Sequence, residues 1–573
     1  MFYRTGIVFL SSATEVTPVF ISRVIKTASM YVHGTLYFRL EPPMDERPKR
    51  CVSTVLCTRS VRDAVATTYA HGGRYPSLDI RFLLANIDNT PQTSFAAQNL
   101  KFKPEILFAE RERDLPVFRS ALSSLCVGDL SKIPAKIINS SPGQTDASVV
   151  AGGDSSGQTD ASAVAGGDSS EQMNGSAVAG GDSSEQTDEG LFTSHRFVVC
   201  GGTFDRLHNG HKILLSIGLM LASKSLTVGV TDGDMNSKKK LNELMQPISE
   251  RVEALRSFME DVKPGIEHDV VAITDPFGPT VVRPEYSCIV VSDETRKGAA
   301  MINTARREKG MQILEVVSID LVEDENHSVE EETKISSSSL RKRLLGTLFN
   351  PVVTTSSEIP SSSPYVIGLT GGIASGKSSI AERLHGFGAA VIDCDKLGHQ
   401  SYARGSAAYQ QIIEQFGSSV VADDETIDRK ILGSIVFTNK DQLKALNDIV
   451  WPAIKDLIKT ELLHYKQKGQ IVVILDAAIL LEAGWDSMCH EVWATIIPKN
   501  EAVKRIVERN SLSEQAALSR IESQLDNHER VSKSNVILST LWERGVTQKQ
   551  VEKAWNLLLS RIPKSAPHTD SKY

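Results

Sequence analysis

The chain has 573 residues, 63 of them basic and 70 acidic, for a formal charge of −7, with 41% hydrophobic and 23% charged side chains. These are globular proportions; no stretch approaches the roughly 18 uninterrupted apolar residues of a spanning helix, and the mild acidic excess argues against a nucleic-acid partner gripped through a broad basic field. Seven cysteines without a CxxC pair read as reduced thiols of a multidomain intracellular protein.

Residues 1–39 carry Arg4, Arg23, Lys26 and Arg39 against a single acid, Glu15. With the apolar GIVFL and several hydroxyl residues, this supports two readings: a weak organellar-targeting segment, or a short edge strand followed by an amphipathic helix. The expected compartment is cytoplasmic, mitochondrial or both, with possible peripheral attachment to a mitochondrial membrane through the N-terminus. Further on, LDIRFLLANI and PEILFAER read as buried strands of an α/β region over 1–139. It carries no catalytic constellation, and His71 before Gly72 and Gly73 reads as a turn.

Residues 140–190 hold six Asp, three Glu and no Lys or Arg, and AGGDSS recurs at Ala151, Ala165 and Ala179. Without large apolar residues such a segment cannot bury enough surface to offset backbone ordering, so 140–191 is expected to be a disordered linker. A second break, PVVTTSSEIPSSSP, covers 351–364. Folded regions are therefore expected over 1–139, 192–350 and 365–573.

The second region opens on RFVVC, a strand-like run, followed by GGTFDRLHNGHKILLSIGLMLAS. Ile213, Leu214, Ile217, Met220 and Leu221 give the latter a buried helical face, and LTVGV then completes a strand–helix–strand unit, which requires a parallel sheet. Gly201 and Gly202 let the backbone approach a ligand at the strand's C-terminal edge. His208 and His211 lie three apart at the helix start, on one face, where helix amides favour a polyphosphate. Both can donate hydrogen bonds to oxygens on which charge grows as pyrophosphate leaves. Near the region's end, ISSSSLRKRL offers Ser336 to Ser339, Ser336 and Ser337 foremost, as cap and phosphate-binding hydroxyls, with Arg341 or Lys342 adding charge.

GTFDRLHNGH resembles the signature of the adenylyl- and cytidylyltransferase superfamily, and ISSSSLRKRL is similar to its ISxxxxR element. The order of these motifs, with Lys238, Lys239 and Lys240 between them, resembles eukaryotic phosphopantetheine adenylyltransferase. That resemblance implies a Rossmann-like domain using ATP, with Gly202 and Thr203 near the phosphates; which of the three lysines meets substrate stays open. Arg296 is a further phosphate candidate. Bacterial adenylyltransferases usually carry Thr where this chain has His208.

The third region begins YVIGLTGGIASGKSS, a strand followed by GxxxxGK[ST]. Amides over Gly371, Gly372, Ile373, Ala374, Ser375 and Gly376 would cradle phosphates; Lys377 reaches the β- and γ-phosphates and Ser378 takes Mg²⁺. Asp393 and Asp395 follow a second strand, with both carboxylates expected to face one cleft, and a hydroxyl-phosphorylating kinase needs such a group. QIVVILDAAILLEAG gives a buried strand ending in Asp476, suited to a Mg²⁺-bound water. Arg505 and Arg509, at i,i+4, can close on the transferring phosphoryl group.

This region resembles dephospho-coenzyme A kinase through TGGIxSGKS, IDxD-x-xGH and LLxE. The resemblance implies a P-loop NTPase fold, Asp395 as general base for a ribose 3′-hydroxyl, and Arg505 in the lid. Ala478 stands where members often have Pro, and the Asn–x–Gly element is missing, which puts adenine-side contacts in doubt. Together, residues 192–573 resemble the bifunctional coenzyme A synthases. The expectation is adenylyl transfer from ATP to 4′-phosphopantetheine, then phosphorylation of dephospho-CoA. Alternatives are another nucleotidyltransferase–kinase fusion, such as one acting on nicotinamide ribosides, or a non-catalytic nucleotide-binding scaffold.

Overall fold

A computed structural model describes residues 2–41, 55–88, 98, 100–123, 125, 133–138, 193–353, 364–436 and 439–562. The acidic repeat and most of the second break lie outside the described residues. The chain forms two compact units, Met1–Met235 with Pro247–Ile335, and Asn236–Gln246 with Ser336–Tyr573. These limits differ from the three regions drawn on the sequence. Regions one and two form one unit. Residues 236–246 and 336–350 go with the kinase region because Leu241, Leu244 and Leu345 pack with Ile496 and Ile537.

The first unit holds two five-stranded parallel sheets. One is built from β1 (Tyr3–Leu10), α1 (Pro18–Ser29), β2 (Val32–Leu40), α2 (Arg59–Gly72), β3 (Asp79–Leu83), β4 (Ile106–Ala109), α3 (Leu115–Ser123) and β5 (Ala135–Ile137), in the order β3-β2-β1-β4-β5. LDIRFLLANI and PEILFAER supply β3 and β4, as expected. The edge-strand expectation for the N-terminus is corrected: β1 is central, buried from Thr5 to Leu10. An unbroken apolar run with both faces covered belongs at the centre of a parallel sheet. His71 lies in the last turn of α2, its ring nitrogen 3.0 Å from the Thr67 carbonyl.

The other sheet comprises β6 (His195–Gly202), α4 (Asn209–Leu221), β7 (Ala222–Thr231), α5 (Ile248–Val262), β8 (Glu267–Ile273), β9 (Cys288–Ser292), α6 (Arg296–Glu308) and β10 (Glu315–Ile319), ordered β8-β7-β6-β9-β10. Its topology repeats that of the first sheet. Helix α4 departs from the amphipathic expectation: every residue from Lys212 to Leu221 is buried. The sheet covers one face and α2 packs along another.

The second unit carries α7 (Ser337–Leu344), β11 (Tyr365–Gly371), α8 (Lys377–Gly386), β12 (Ala390–Asp393), α9 (Cys394–Gln400), α10 (Lys440–Gln467), β13 (Val472–Asp476), β14 (Glu491–Ile496), α11 (Lys499–Asn510), β15 (Val536–Ser539) and α12 (Arg544–Arg561), with shorter helices between. Its parallel sheet runs β12-β13-β11-β14-β15. The C-terminal ends of β11, β12 and β13 therefore converge, and ligands of open α/β sheets bind outside such ends. No described helix is long and apolar enough to cross a membrane.

Candidate active sites

In the first unit, the loop between β6 and α4 is held in an unusual shape. Phe204 and Arg206 adopt left-handed φ values of 50° and 51°. Such conformations cost roughly 1–3 kcal/mol and persist only where the surroundings impose them. A buried arginine that the sequence did not single out braces the start of this loop: Arg251, on α5, donates from Nη1 to the Thr203 carbonyl (2.8 Å) and the Thr231 carbonyl (2.9 Å). Thr203 thus sits at the end of β6 with its backbone fixed, its hydroxyl 3.4 Å from that of Thr231.

His208 is the N-cap of α4, and the His208 and His211 rings stack with centroids 3.7 Å apart and planes 21° from parallel. A Cβ at Gly210 would lie 3.3 Å from the His208 ring, so the glycine inside HNGH leaves room for the stack. Desolvation, then the neighbouring His211 and Lys212, push the His208 imidazole well below its ordinary pKa. It is neutral near pH 7, and its buried Nδ1 has no hydrogen-bond partner. A neutral His208 imidazole offers hydrogen bonding at a helix N-terminus without bringing in net charge.

The ISSSSLRKR element lies in the second unit. Ser336 caps α7, its hydroxyl oxygen accepting from the Ser339 amide at 3.1 Å, as a Ser at that position should. Ser337 opens the helix. Arg341 is 1% exposed and donates from Nε to the Lys240 carbonyl at 3.0 Å. Arg296 opens α6 in the first unit, donating from Nη2 to the Ser318 hydroxyl at 2.5 Å and pairing with Asp293.

The phosphate loop of the second unit encloses a cleft of about 660 Å³, lined by Gly371–Ser378, Asp395, Ala478, Arg505, Glu508, Arg509 and Gln524. Two loop positions have the left-handed backbone that turns successive amides inward: Ala374 (φ 62°) and Gly376 (φ 85°). Gly376 is also needed for space, since a Cβ would meet Thr540 Cγ2 at 2.7 Å. Lys377 pairs with Asp476 and lies 4.0 Å from Asp395. Burial raises the Asp476 carboxyl above its ordinary pKa even though Lys377 opposes the shift.

Asp393 corrects the paired-carboxylate expectation. Its side chain accepts from the Lys396 amide at 3.0 Å, capping α9, so Asp395 alone of the two lines the cleft. Arg505 is more tightly engaged than a free lid residue. It donates to the Ala374 carbonyl (3.3 Å), the Thr540 hydroxyl (2.8 Å) and the Thr540 carbonyl (2.8 Å), and pairs with Glu501. Thr540 in turn donates to the Ser375 carbonyl at 2.7 Å, and Gln524 accepts from the Ile373 amide at 2.8 Å. Neither Thr540 nor Gln524 carries a local sequence signal. Ser378 and Asp476 together offer only oxygen donors, which fits a hard divalent cation such as Mg²⁺.

Comparison with known proteins matches all three parts of the chain. The family model for dephospho-CoA kinase covers residues 365–541, one described as cytidylyltransferase-like covers 199–343, and one described as COASY N-terminal domain covers 4–114. Among curated relatives, the dephospho-CoA kinase of Carboxydothermus hydrogenoformans is 36% identical over 186 residues, 32% of this chain and 90% of that protein. Those of Geobacter sulfurreducens and Shouchella clausii are 35% and 38% identical over 190 and 188 residues, with 33% of this chain aligned in each case. The alignments take in 96% and 95% of those two proteins. The chain belongs to the dephospho-CoA kinase family, and the cytidylyltransferase-like and COASY N-terminal parts that precede the kinase give it the make-up of the bifunctional coenzyme A synthases.

Proposed function

We propose that the chain carries out the last two steps of coenzyme A synthesis with the residues described above. In the first, a phosphate oxygen of 4′-phosphopantetheine attacks the α-phosphorus of ATP, and pyrophosphate leaves. The nucleophile already exists as an anion, so positioning and neutralisation supply most of the rate. His208 and His211 would hydrogen-bond the developing charge, with Gly202 and Thr203 at the strand edge.

In the second step the ribose 3′-hydroxyl of dephospho-CoA gives its proton to Asp395, its oxygen attacks the γ-phosphorus of ATP, and ADP leaves. Lys377 would neutralise the β- and γ-phosphates inside the loop amides, and Arg505 would keep that loop in shape. Ser378 and Asp476 would hold Mg²⁺, whose chemistry there is charge neutralisation on the phosphates.

The observation that carries this reading is the succession, in one chain, of an HxGH helix on a β8-β7-β6-β9-β10 sheet and a P-loop with Asp395 at its mouth. Supplying the protein with 4′-phosphopantetheine and ATP tests it. Dephospho-CoA and then CoA are expected; absence of dephospho-CoA would overturn the first step.

A cytoplasmic or mitochondrial location, with peripheral attachment through the N-terminus, belongs to the same proposal and is supported by the basic bias of residues 1–39. Fusing residues 1–40 to a reporter tests it, and a diffuse cytosolic reporter removes the mitochondrial half.

A further inference from the structure

The module formed by β1 to β5 has the strand order and parallel pairing of the nucleotidyltransferase module, yet carries none of its chemistry. Helix α1 starts at N-cap Thr17, as α4 starts at N-cap His208. Three residues on, Phe20 stands where the catalytic module has His211. Neither residue carries an imidazole, so this sheet edge lacks the histidine pair of the catalytic module.

What the module does carry is a set of buried contacts to helix α4. The Gly73 amide, which caps the C-terminal end of α2, turns to the Ala70 carbonyl. The Tyr69 carbonyl instead accepts from Asn209 Nδ2 at 2.8 Å, and Asn209 is the residue between the two histidines' cap and their glycine. Lys212, next to His211 and 5% exposed, donates from Nζ to Asp79 Oδ1 (2.6 Å) and to the Ile80 carbonyl (3.1 Å). The Ser216 hydroxyl reaches the Tyr69 hydroxyl at 3.4 Å, which also accepts from the Phe82 amide at 2.9 Å. Gly72 makes the approach possible, because a Cβ there would lie 2.4 Å from Ile80 Cδ1 and 3.3 Å from Asn209 Nδ2.

A second anchor fixes the same module to α5. Asp261, 3% exposed, accepts from the Tyr37 hydroxyl (2.8 Å), Arg81 Nη1 (2.5 Å) and the Lys101 amide (2.8 Å). Arg81 also donates to Asp79 Oδ2 at 2.9 Å, so the lysine clamp on α4 and the aspartate anchor on α5 form one network. Apolar residues of both modules belong to one continuous core, from Val65 and Ile80 to Ile213 and Ile217.

We infer that the N-terminal module is a built-in positioning domain for adenylyl transfer, in which Tyr69, Gly72 and Asp79 set the place of the helix that begins with His208 and His211. The inference rests on the proposed role of those histidines. The first turn of α4 is held from outside its own sheet by a carbonyl on Asn209 and a carboxylate on Lys212, and the histidines sit on either side of Asn209. A displacement of about 1 Å at reacting groups can cost about 100-fold in rate, which gives such a clamp its purpose.

The test uses the full chain with two variants outside the histidine loop. Asp79→Asn keeps the shape and one acceptor but removes the charge facing Lys212; Gly72→Ala drives a methyl between α2 and its neighbours. Each is expected to lower kcat for dephospho-CoA formation by about 10- to 100-fold, leave KM for ATP within threefold, and leave phosphorylation of supplied dephospho-CoA unchanged. Asp79→Glu should recover much of the loss. Amide hydrogen exchange on Asp79→Asn reads the helix directly, and faster exchange confined to the first turn of α4 is expected. Unchanged kcat in both variants would overturn the inference, and so would a loss that appears only with exchange throughout the unit. A wild-type chain that makes no dephospho-CoA, or a His211→Ala chain that still makes it, would overturn the catalytic reading instead.

Discussion

Removing the Arg505 guanidinium should disable phosphoryl transfer chiefly by releasing the phosphate loop. In Arg505→Ala the three hydrogen bonds to the Ala374 carbonyl and to both oxygens of Thr540 vanish, together with the pair to Glu501 on its own helix. A hydrogen bond from a charged donor contributes about 1.5–3 kcal/mol when water is excluded. This side chain is 28% exposed, so water replaces part of each contact. A total near 3 kcal/mol, about 100-fold in kcat/KM for ATP, is the expected loss. ADP release with dephospho-CoA and varied ATP measures it, and adenylyl transfer in the same preparation is the control. Thr540→Val, which removes the hydroxyl bridging Arg505 to Ser375 but keeps the charge, should raise KM for ATP about tenfold with little change in kcat. If Arg505→Ala costs less than threefold, neither the loop-holding role nor direct contact with phosphate survives. If Thr540→Val is silent while Arg505→Ala is severe, the arginine acts on phosphate and not through the loop.

Lys377→Ala should abolish 3′-phosphorylation while dephospho-CoA still accumulates, since the P-loop and the HxGH helix belong to different units; chromatography of the products distinguishes this from equal loss of both. His211→Ala should do the reverse, with CoA formed only from supplied dephospho-CoA. The depressed pKa of His208 makes the folded state bind fewer protons there than the unfolded chain. Stability of the first unit should therefore fall as pH drops below about 6.5, by at most about 1.4 kcal/mol per pH unit, until the folded-state pKa is reached. Denaturant midpoints in wild type and His208→Gln measure it, and the glutamine variant should lose that part of the slope.

Both turns proposed to bind phosphate are legible because each compresses its requirement into a few adjacent letters. GTFDRLHNGH and GGIASGKS contain the glycines, the cap and the reactive groups together, and the apolar strands before them fix their setting. What could not be read locally was everything that holds those turns from a distance. Arg251 reads as one more charge in ISERVEALRSFM, yet it fixes the backbone at Thr203 and Thr231. Thr540 and Gln524 touch the P-loop from far along the chain. Lys212 lies outside the face marked by Ile213, Leu214, Ile217, Met220 and Leu221, yet α2 covers it and Asp79 receives the charge. Asp393 carries the right letter at a strand end, and its geometry spends it on a helix cap. Periodicity reports that a face is buried, not which module buries it.

The pairing of Lys377 with Asp476 links two residues proposed for phosphoryl transfer. Lys377 is 11% exposed and Asp476 10%, and each is the other's charge partner. Phosphate in the loop draws Lys377 toward it, and a buried carboxylate whose pKa is already raised by desolvation is then left without its cation. Leaving such a charge unpaired costs about 3–5 kcal/mol, so nucleotide and a divalent cation should arrive together, the cation taking over as the partner of Asp476. ATP affinity is therefore expected to rise steeply with Mg²⁺ in wild type. In Asp476→Asn no carboxylate is stranded when Lys377 moves, so ATP should bind nearly as well without the metal as with it, while 3′-phosphorylation falls at least 100-fold (about 2.7 kcal/mol). Calorimetric titration with ATP, with and without Mg²⁺, separates the two variants. Equal metal dependence in both would refute the exchange of partners and return Asp476 to a purely structural role.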